Sequence, residues 1–151
     1  MLDKRKFYIN GKWVDPIKPN DLDVINPSTE ETCAVISLGS KEDTSVAVSA
    51  AKVAFETWKD SSKDERIDLL EKLLTIYKKR YGEMVDAIST EMGAPTDWST
   101  DVQTASGQSH LEDFIFRLKE FEFDKKFSSE SNNRICYEPI GVCGLITPWN
   151  W

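Results

Sequence analysis

The sequence is poor in the residues that build metal centres. It holds one histidine, His110, and three cysteines, Cys33, Cys136 and Cys143, none of them in CxxC spacing. No closed zinc set can be assembled from these. An odd number of scattered cysteines argues against a disulfide framework and for reduced thiols, so a cytoplasmic location is expected. Apolar runs are only a few residues long, so no membrane-spanning helix is available and no membrane partner is expected. Met1 to Phe7 leads into no apolar segment, so no secretory leader is expected either. Several catalytic signatures are missing: G-x-G-x-x-G, the Walker A loop, G-x-S-x-G and HExxH. Positive charge is in deficit, with 19 Lys+Arg against 26 Asp+Glu and a net charge of −7. That balance argues against nucleic acid as a partner. What remains is 40% apolar and 30% charged over 151 residues, enough for one folded domain.

The chain divides into four stretches. The first, about residues 6–38, reads as short strands. Asn10-Gly11 between two apolar segments is a type I′ hairpin signal, because both central positions need φ > 0. Asp15 to Asn20 carries two prolines and reads as loop. Asp23 to Pro27 is extended, and a turn at Ser28–Glu31 leads into a strand at Thr32–Ser37. The second stretch, about 41–119, is helical. A first helix starts near Ser40 or Asp43 and ends near Trp58. Ser62-Lys63-Asp64-Glu65 has capping-box spacing and opens a second helix. Its apolar stripe runs Ile67, Leu70, Leu74, Tyr77, Tyr81, Met84, Ile88 and predicts core, with Gly82 as a candidate break. Gly93-Ala94-Pro95 ends it, and a third helix runs from Thr96 through Leu118.

The third stretch, 120–139, predicts a long-looped hairpin. Phe121, Phe123 and Phe127 fall on its first strand and Tyr137 on its second. Such a hairpin needs a partner for its apolar face and its edges. The fourth, Gly141 to Thr147, has no alternating charge and predicts a strand buried on both faces, as in a parallel sheet. A parallel partner needs a crossover of a dozen or more residues, so the chain is expected to be the front part of a longer protein. Acid pairs such as Glu30-Glu31 and the run Lys78-Lys79-Arg80 read as solvated surface. On a bare reading, Asn150 after a strand is a turn residue, or an amide donor at the carboxyl end of a sheet.

Pro139-Ile140-Gly141-Val142-Cys143-Gly144-Leu145-Ile146-Thr147-Pro148-Trp149-Asn150 resembles the P-x-G-V-x-x-x-I-x-P-W-N segment of the aldehyde dehydrogenase superfamily. Four further landmarks resemble the family's in the same order. They are Tyr8–Trp13, Ile25-Asn26-Pro27-Ser28-Thr29, Ala50–Trp58 and Glu91-Met92-Gly93-Ala94-Pro95. Glu30 departs from the family's usual glycine, and Ala94 from its frequent lysine.

The resemblance implies an α/β fold. Residues 1–119 would be the N-terminal part of a Rossmann-like cofactor-binding domain, 120–139 an oligomerisation hairpin, and 140–151 the first strand of the Rossmann-like sheet. The catalytic domain would lie beyond residue 151. The implied activity is oxidation of an aldehyde to a carboxylic acid with NAD or NADP, through a cysteine thiohemiacetal and a thioester. Asn150 would be catalytic, stabilising the oxyanion. Ile146, Thr147, Pro148 and Trp149 would lie along the cofactor. Val102, Ser106 and His110, at i, i+4, i+8, would line the substrate tunnel. The Ile25 carbonyl and the Glu91 carboxylate would hold a structural monovalent cation. The implied partners are a small-molecule aldehyde and further copies of the chain, as a homodimer or homotetramer through 120–139. A non-catalytic helical interaction module and a catalytically dead paralogue are the alternative readings.

Overall fold

The computed structural model describes residues 1–147. The chain opens with β1 (Leu2–Lys4), followed by β2 (Phe7–Ile9) and β3 (Lys12–Val14). Asn10 and Gly11 take φ of 51° and 73°, the values a type I′ turn demands. β2 and β3 therefore pair antiparallel, with the Tyr8 and Trp13 rings 5.2 Å apart. β4 (Asp21–Asn26) and β5 (Glu31–Ser37) pair antiparallel, with a register shift between Val24 and Ile25. The turn between them holds Glu30 at φ 59°, in the left-handed region. A glycine there would carry no Cβ penalty.

β1 adds to the free edge of β5 in parallel, giving the order β1-β5-β4. Nothing in Leu2-Asp3-Lys4 announces a strand, and all three residues are exposed. Pairing alone makes it one. β5 is the interior strand, with Ala34, Val35 and Ser37 buried.

α1 (Lys41–Trp58) starts at Ser40 through a full capping box. The Ser40 hydroxyl accepts from the Asp43 N–H, and the Asp43 carboxylate accepts from the Ser40 N–H. Asp43 also accepts from the Ile17 N–H at 2.9 Å, which ties the proline-bearing loop to the first turn of α1. α2 (Lys63–Lys79) starts at Ser62 through the second box, with Glu65. The apolar stripe then divides, because Arg80 (φ −101°, ψ 16°) leaves helical geometry and α3 (Tyr81–Met92) begins after it. The break precedes Gly82, which sits inside the first turn of α3. The stripe is also not core throughout, since Met84 is exposed. α3 ends at Gly93 in the left-handed region (φ 69°). A Cβ there would meet Pro27 Cγ at 2.7 Å, so glycine is required both by φ and by close approach to the β4–β5 turn.

The third helix is not one α-helix. α4 (Thr96–Trp98) passes into a π-helical turn, Ser99–Thr104, and then into α5 (Ala105–Glu120). α5 packs on α2. Ile67, Ile115 and Leu118 form the buried cluster, with Leu70, Leu74 and Phe123 against it.

β6 (Asp124–Lys126) and β7 (Arg134–Cys136) form the later hairpin. The strands are shorter than the alternation suggests: Phe121 and Phe123 precede β6, and Phe127 follows it. The Tyr137 N–H still donates to the Phe123 carbonyl at 2.8 Å. Phe121 packs edge-on against Phe123 and Tyr137, at 4.9 and 5.2 Å.

Gly141–Thr147 differs most from its sequence pattern. It joins no sheet among the described residues, and Leu145 and Ile146 are 89% and 95% exposed. A strand of this composition is stabilised by ladders on its edges and layers on its faces. Residues 1–147 supply neither. Short strands under a helical layer make a mixed α/β fold, consistent with part of a Rossmann-like domain.

Candidate functional site

The residues singled out by sequence fall in three places. Asn150, Pro148 and Trp149 lie outside the described residues. Ile146 and Thr147 are described and exposed, and their backbone belongs to no ladder.

Val102, Ser106 and His110 lie where the π-helical turn passes into α5. Val102 and Ser106 are half-buried and joined, the Ser106 hydroxyl donating to the Val102 carbonyl at 2.7 Å. His110, two turns on from Val102, is exposed. The structure thus joins the Ser106 hydroxyl to the Val102 backbone and leaves His110 at the solvent edge.

Ile25 and Glu91 sit on elements that touch. The Gly93–Pro27 approach brings the end of α3 against the turn that follows β4. Both residues are exposed, Ile25 at 46%. Glu91 also edges a groove of about 630 Å³ between β1, β5 and the α2–α3 helices, with Leu2, Cys33, Ile76 and Met84. Among the described residues no three His, Cys, Asp or Glu side chains converge on a metal position.

None of the three thiols has the setting of an activated nucleophile. Cys33 donates to the Val24 carbonyl at 3.2 Å. Cys143 is exposed beside the Gly141 carbonyl at 3.7 Å. The Asp124 carboxylate, 3.4 Å from Cys136 Sγ, pushes the Cys136 thiol up and so disfavours the thiolate.

The helices hold one feature that sequence reasoning passed over. Tyr77 and Tyr81, read from the stripe as core, both reach the π-helical turn. The Tyr77 hydroxyl donates to the Thr104 carbonyl at 2.9 Å, and the Tyr81 hydroxyl donates to the Thr100 carbonyl. Burial, then the neighbouring Tyr81, pushes the Tyr77 hydroxyl above its ordinary pKa, so it stays a donor. An i, i+4 tyrosine pair inside a stripe was the available signal, since a buried tyrosine needs a hydrogen-bond partner.

Comparison with known proteins bears on this arrangement. The model of the aldehyde dehydrogenase family matches residues 13–151. A 3-succinoylsemialdehyde-pyridine dehydrogenase of a Pseudomonas species is 41% identical over all of this chain and 31% of its own length. Among solved structures, an aldehyde dehydrogenase of Bartonella henselae superposes with a TM-score of 0.86 at 55% identity, over 87% of this chain and 28% of that one. An aldehyde dehydrogenase of Pseudomonas syringae, solved with NAD+ and octanal, superposes at 0.79 with 32% identity, over 82% of this chain and 26% of that one. The chain thus spans about a third or less of the length of these relatives.

Proposed function

Because this chain belongs to the aldehyde dehydrogenase family, we propose that it supplies the cofactor-side part of an enzyme that oxidises an aldehyde to a carboxylic acid. One observation carries the reading: the family match reaches residue 151 and so takes in Ile146-Thr147-Pro148-Trp149-Asn150. The Pseudomonas syringae relative, bound to NAD+ and octanal, supports NAD and an aldehyde as the two ligands. NADP stays within the proposal, because nothing on residues 1–147 discriminates the two.

Ile146, Thr147, Pro148 and Trp149 would lie along the cofactor, as the resemblance of their motif implies. When bound, the cofactor accepts the hydride that the aldehyde carbon gives up. The chain's own contribution is electrostatic. Addition of a cysteine thiolate to the aldehyde carbonyl puts negative charge on the carbonyl oxygen. The Asn150 side-chain amide donates a hydrogen bond to that oxygen and adds no charge of its own. Such a donor favours the transition state over the ground state. The thiohemiacetal then passes to a thioester, and a glutamate-activated water hydrolyses it. The cysteine and the glutamate belong to sequence outside residues 1–151 in this reading, so residues 1–151 alone are inactive.

The remaining assignments form part of the same proposal. Residues 1–119 and 140–151 belong to the cofactor-binding domain, with Val102, Ser106 and His110 along the aldehyde's approach. The Ile25 carbonyl and the Glu91 carboxylate, hard oxygen donors on touching elements, fit a structural monovalent cation. The 120–139 hairpin joins subunits into a homodimer or homotetramer. Its exposed Phe121, Phe127 and Tyr137 support that role. Among the described residues no helix is long and apolar enough to cross a membrane. The cysteine usage favours the cytoplasm.

Replacement of the amide tests the central assignment. In the full-length enzyme Asn150→Ala is expected to lower kcat by ~10²–10³, with melting temperature and cofactor Kd little changed. Asn150→Asp is expected to be at least as damaging, because a carboxylate repels the oxyanion. Near-normal kcat in a stable Asn150→Ala enzyme would end the catalytic assignment.

A further inference from the structure

The π-helical turn Ser99–Thr104 is held from outside by two tyrosines on different helices. Tyr77, near the end of α2, donates to the Thr104 carbonyl, and Tyr81, the first residue of α3, donates to the Thr100 carbonyl. Ser89 of α3 adds a third tether, its hydroxyl donating to Ser99 Oγ at 3.0 Å. Ser99 and Thr104, the two ends of the turn, are fully buried. The approach is close on the far side as well. A Cβ on Gly107 would lie 2.5 Å from the Tyr77 hydroxyl oxygen, so glycine at 107 is what lets Tyr77 reach Thr104.

A π turn is rare, because its i→i+5 bonding costs more than the α-helix on either side. One extra residue in a turn also rotates everything before it, relative to everything after it, by about 100° on a 3.6-residue helix. The later half of α5 cannot absorb that rotation, since Ile115 and Leu118 are locked against Ile67. Ser99 is held in turn by Ser89, so the residues that would shift are those between the two anchored ends, Val102 among them.

We infer that Tyr77 and Tyr81 are positioning residues for aldehyde selectivity: by holding the π turn they set the orientation of Val102 relative to Ser106. The inference rests on the reading that Val102 and Ser106 line the aldehyde's approach. On that reading a ring-bearing aldehyde has the apolar surface to touch Val102, and a two-carbon aldehyde has far less. Releasing the turn therefore changes binding of the large aldehyde and leaves the chemical step alone.

The test uses the full-length enzyme at saturating NAD, with acetaldehyde and benzaldehyde as the probe pair. Tyr77→Phe and Tyr81→Phe are expected to move the ratio of the two KM values by ~10-fold, a change typical of a reshaped apolar contact. The kcat for acetaldehyde is expected to stay within about twofold, since no group touching the reacting atoms is altered. Gly107→Ala provides an independent arm. Its methyl displaces the Tyr77 hydroxyl while raising helix propensity, so it is expected to move the KM ratio in the same direction as Tyr77→Phe even if a tyrosine variant folds poorly. Val102→Ala separates this inference from the reading beneath it. If Val102→Ala moves the ratio while the folded tyrosine and glycine variants do not, the positioning role is overturned and the approach reading stands. If Val102→Ala leaves the ratio unchanged, the approach reading falls and the positioning role falls with it.

Discussion

Ile67, Ile115 and Leu118 are each less than 10% exposed, whereas Ile140, Leu145 and Ile146 are 93%, 89% and 95% exposed. The first group joins α2 to α5, and the second lies on the segment after the 120–139 hairpin. Apolar character does not separate them. What separates them is whether residues 1–147 supply their partners. An amphipathic helix satisfies its own backbone and asks only for one apolar neighbour, which α5 offers to α2. A strand apolar on both faces asks for ladder partners and for two covering layers. Phe123 stands at the border between the two regions. It is half-buried against the α2–α5 cluster, with the Arg66 guanidinium 5.5 Å from its ring centre, while Phe121 and Tyr137 beside it stay exposed. Phe123 is the ring of the hairpin that packs against the buried α2–α5 cluster, and the Lys63 ammonium also donates to the Phe121 carbonyl at 3.5 Å.

Substitutions on the two sides of that border sharpen the contrast. Ile115→Ala is expected to cost about 2–5 kcal/mol wherever it is measured, because its cavity lies inside the chain's own core. Ile146→Ala is expected to change the stability of residues 1–151 by less than about 0.5 kcal/mol. If, as proposed, this segment becomes a buried sheet strand in a longer enzyme, the same change there is expected to cost about 2–5 kcal/mol. Denaturant unfolding of both lengths decides this, and an equal effect of Ile146→Ala in both would break the comparison. At the border, Phe123→Ala is expected to cost about 1–3 kcal/mol, from partial apolar burial and loss of the cation–π contact. Unchanged melting would show that the hairpin is not attached through this ring.

The smallest expected effect concerns the N-terminal loop and acid. The Ile17 N–H, followed by Ser40, holds the Asp43 carboxylate below the usual range. A carboxylate with a depressed folded pKa contributes stability above its unfolded value of about 3.9, and loses it as pH falls through the lower folded value. Asp43→Asn is therefore expected to flatten the acid limb of the stability profile below about pH 4. Melting temperatures across that range, wild type against variant, check it, and parallel curves would remove Asp43 from the account.

Much of this molecule was legible in short stretches of sequence. Asn10-Gly11 specified a hairpin, because two adjacent positive φ values suit almost no other pair. Ser62 to Glu65 specified a helix start, because the two groups satisfy each other's orphan donors within four residues. These signals are local, and local geometry is enough to realise them. The motif ending in Asn150 was legible as a likeness, by its order of residues and not by its shape. Three features were not legible, each because it depends on residues far apart in the chain. β1 exists only through the edge of β5, about thirty residues away, and carries no pattern of its own. The π turn at Ser99–Thr104 departs from the 3.6-residue period that its sequence follows, and it persists with Tyr77 and Tyr81 bonded to its carbonyls. The segment 141–147 has the composition of a buried strand and is none here. Sequence determined what each element could become. Tertiary contacts decided which became ordered, since a ladder, a buried hydroxyl bond or a covered face needs its second partner in place.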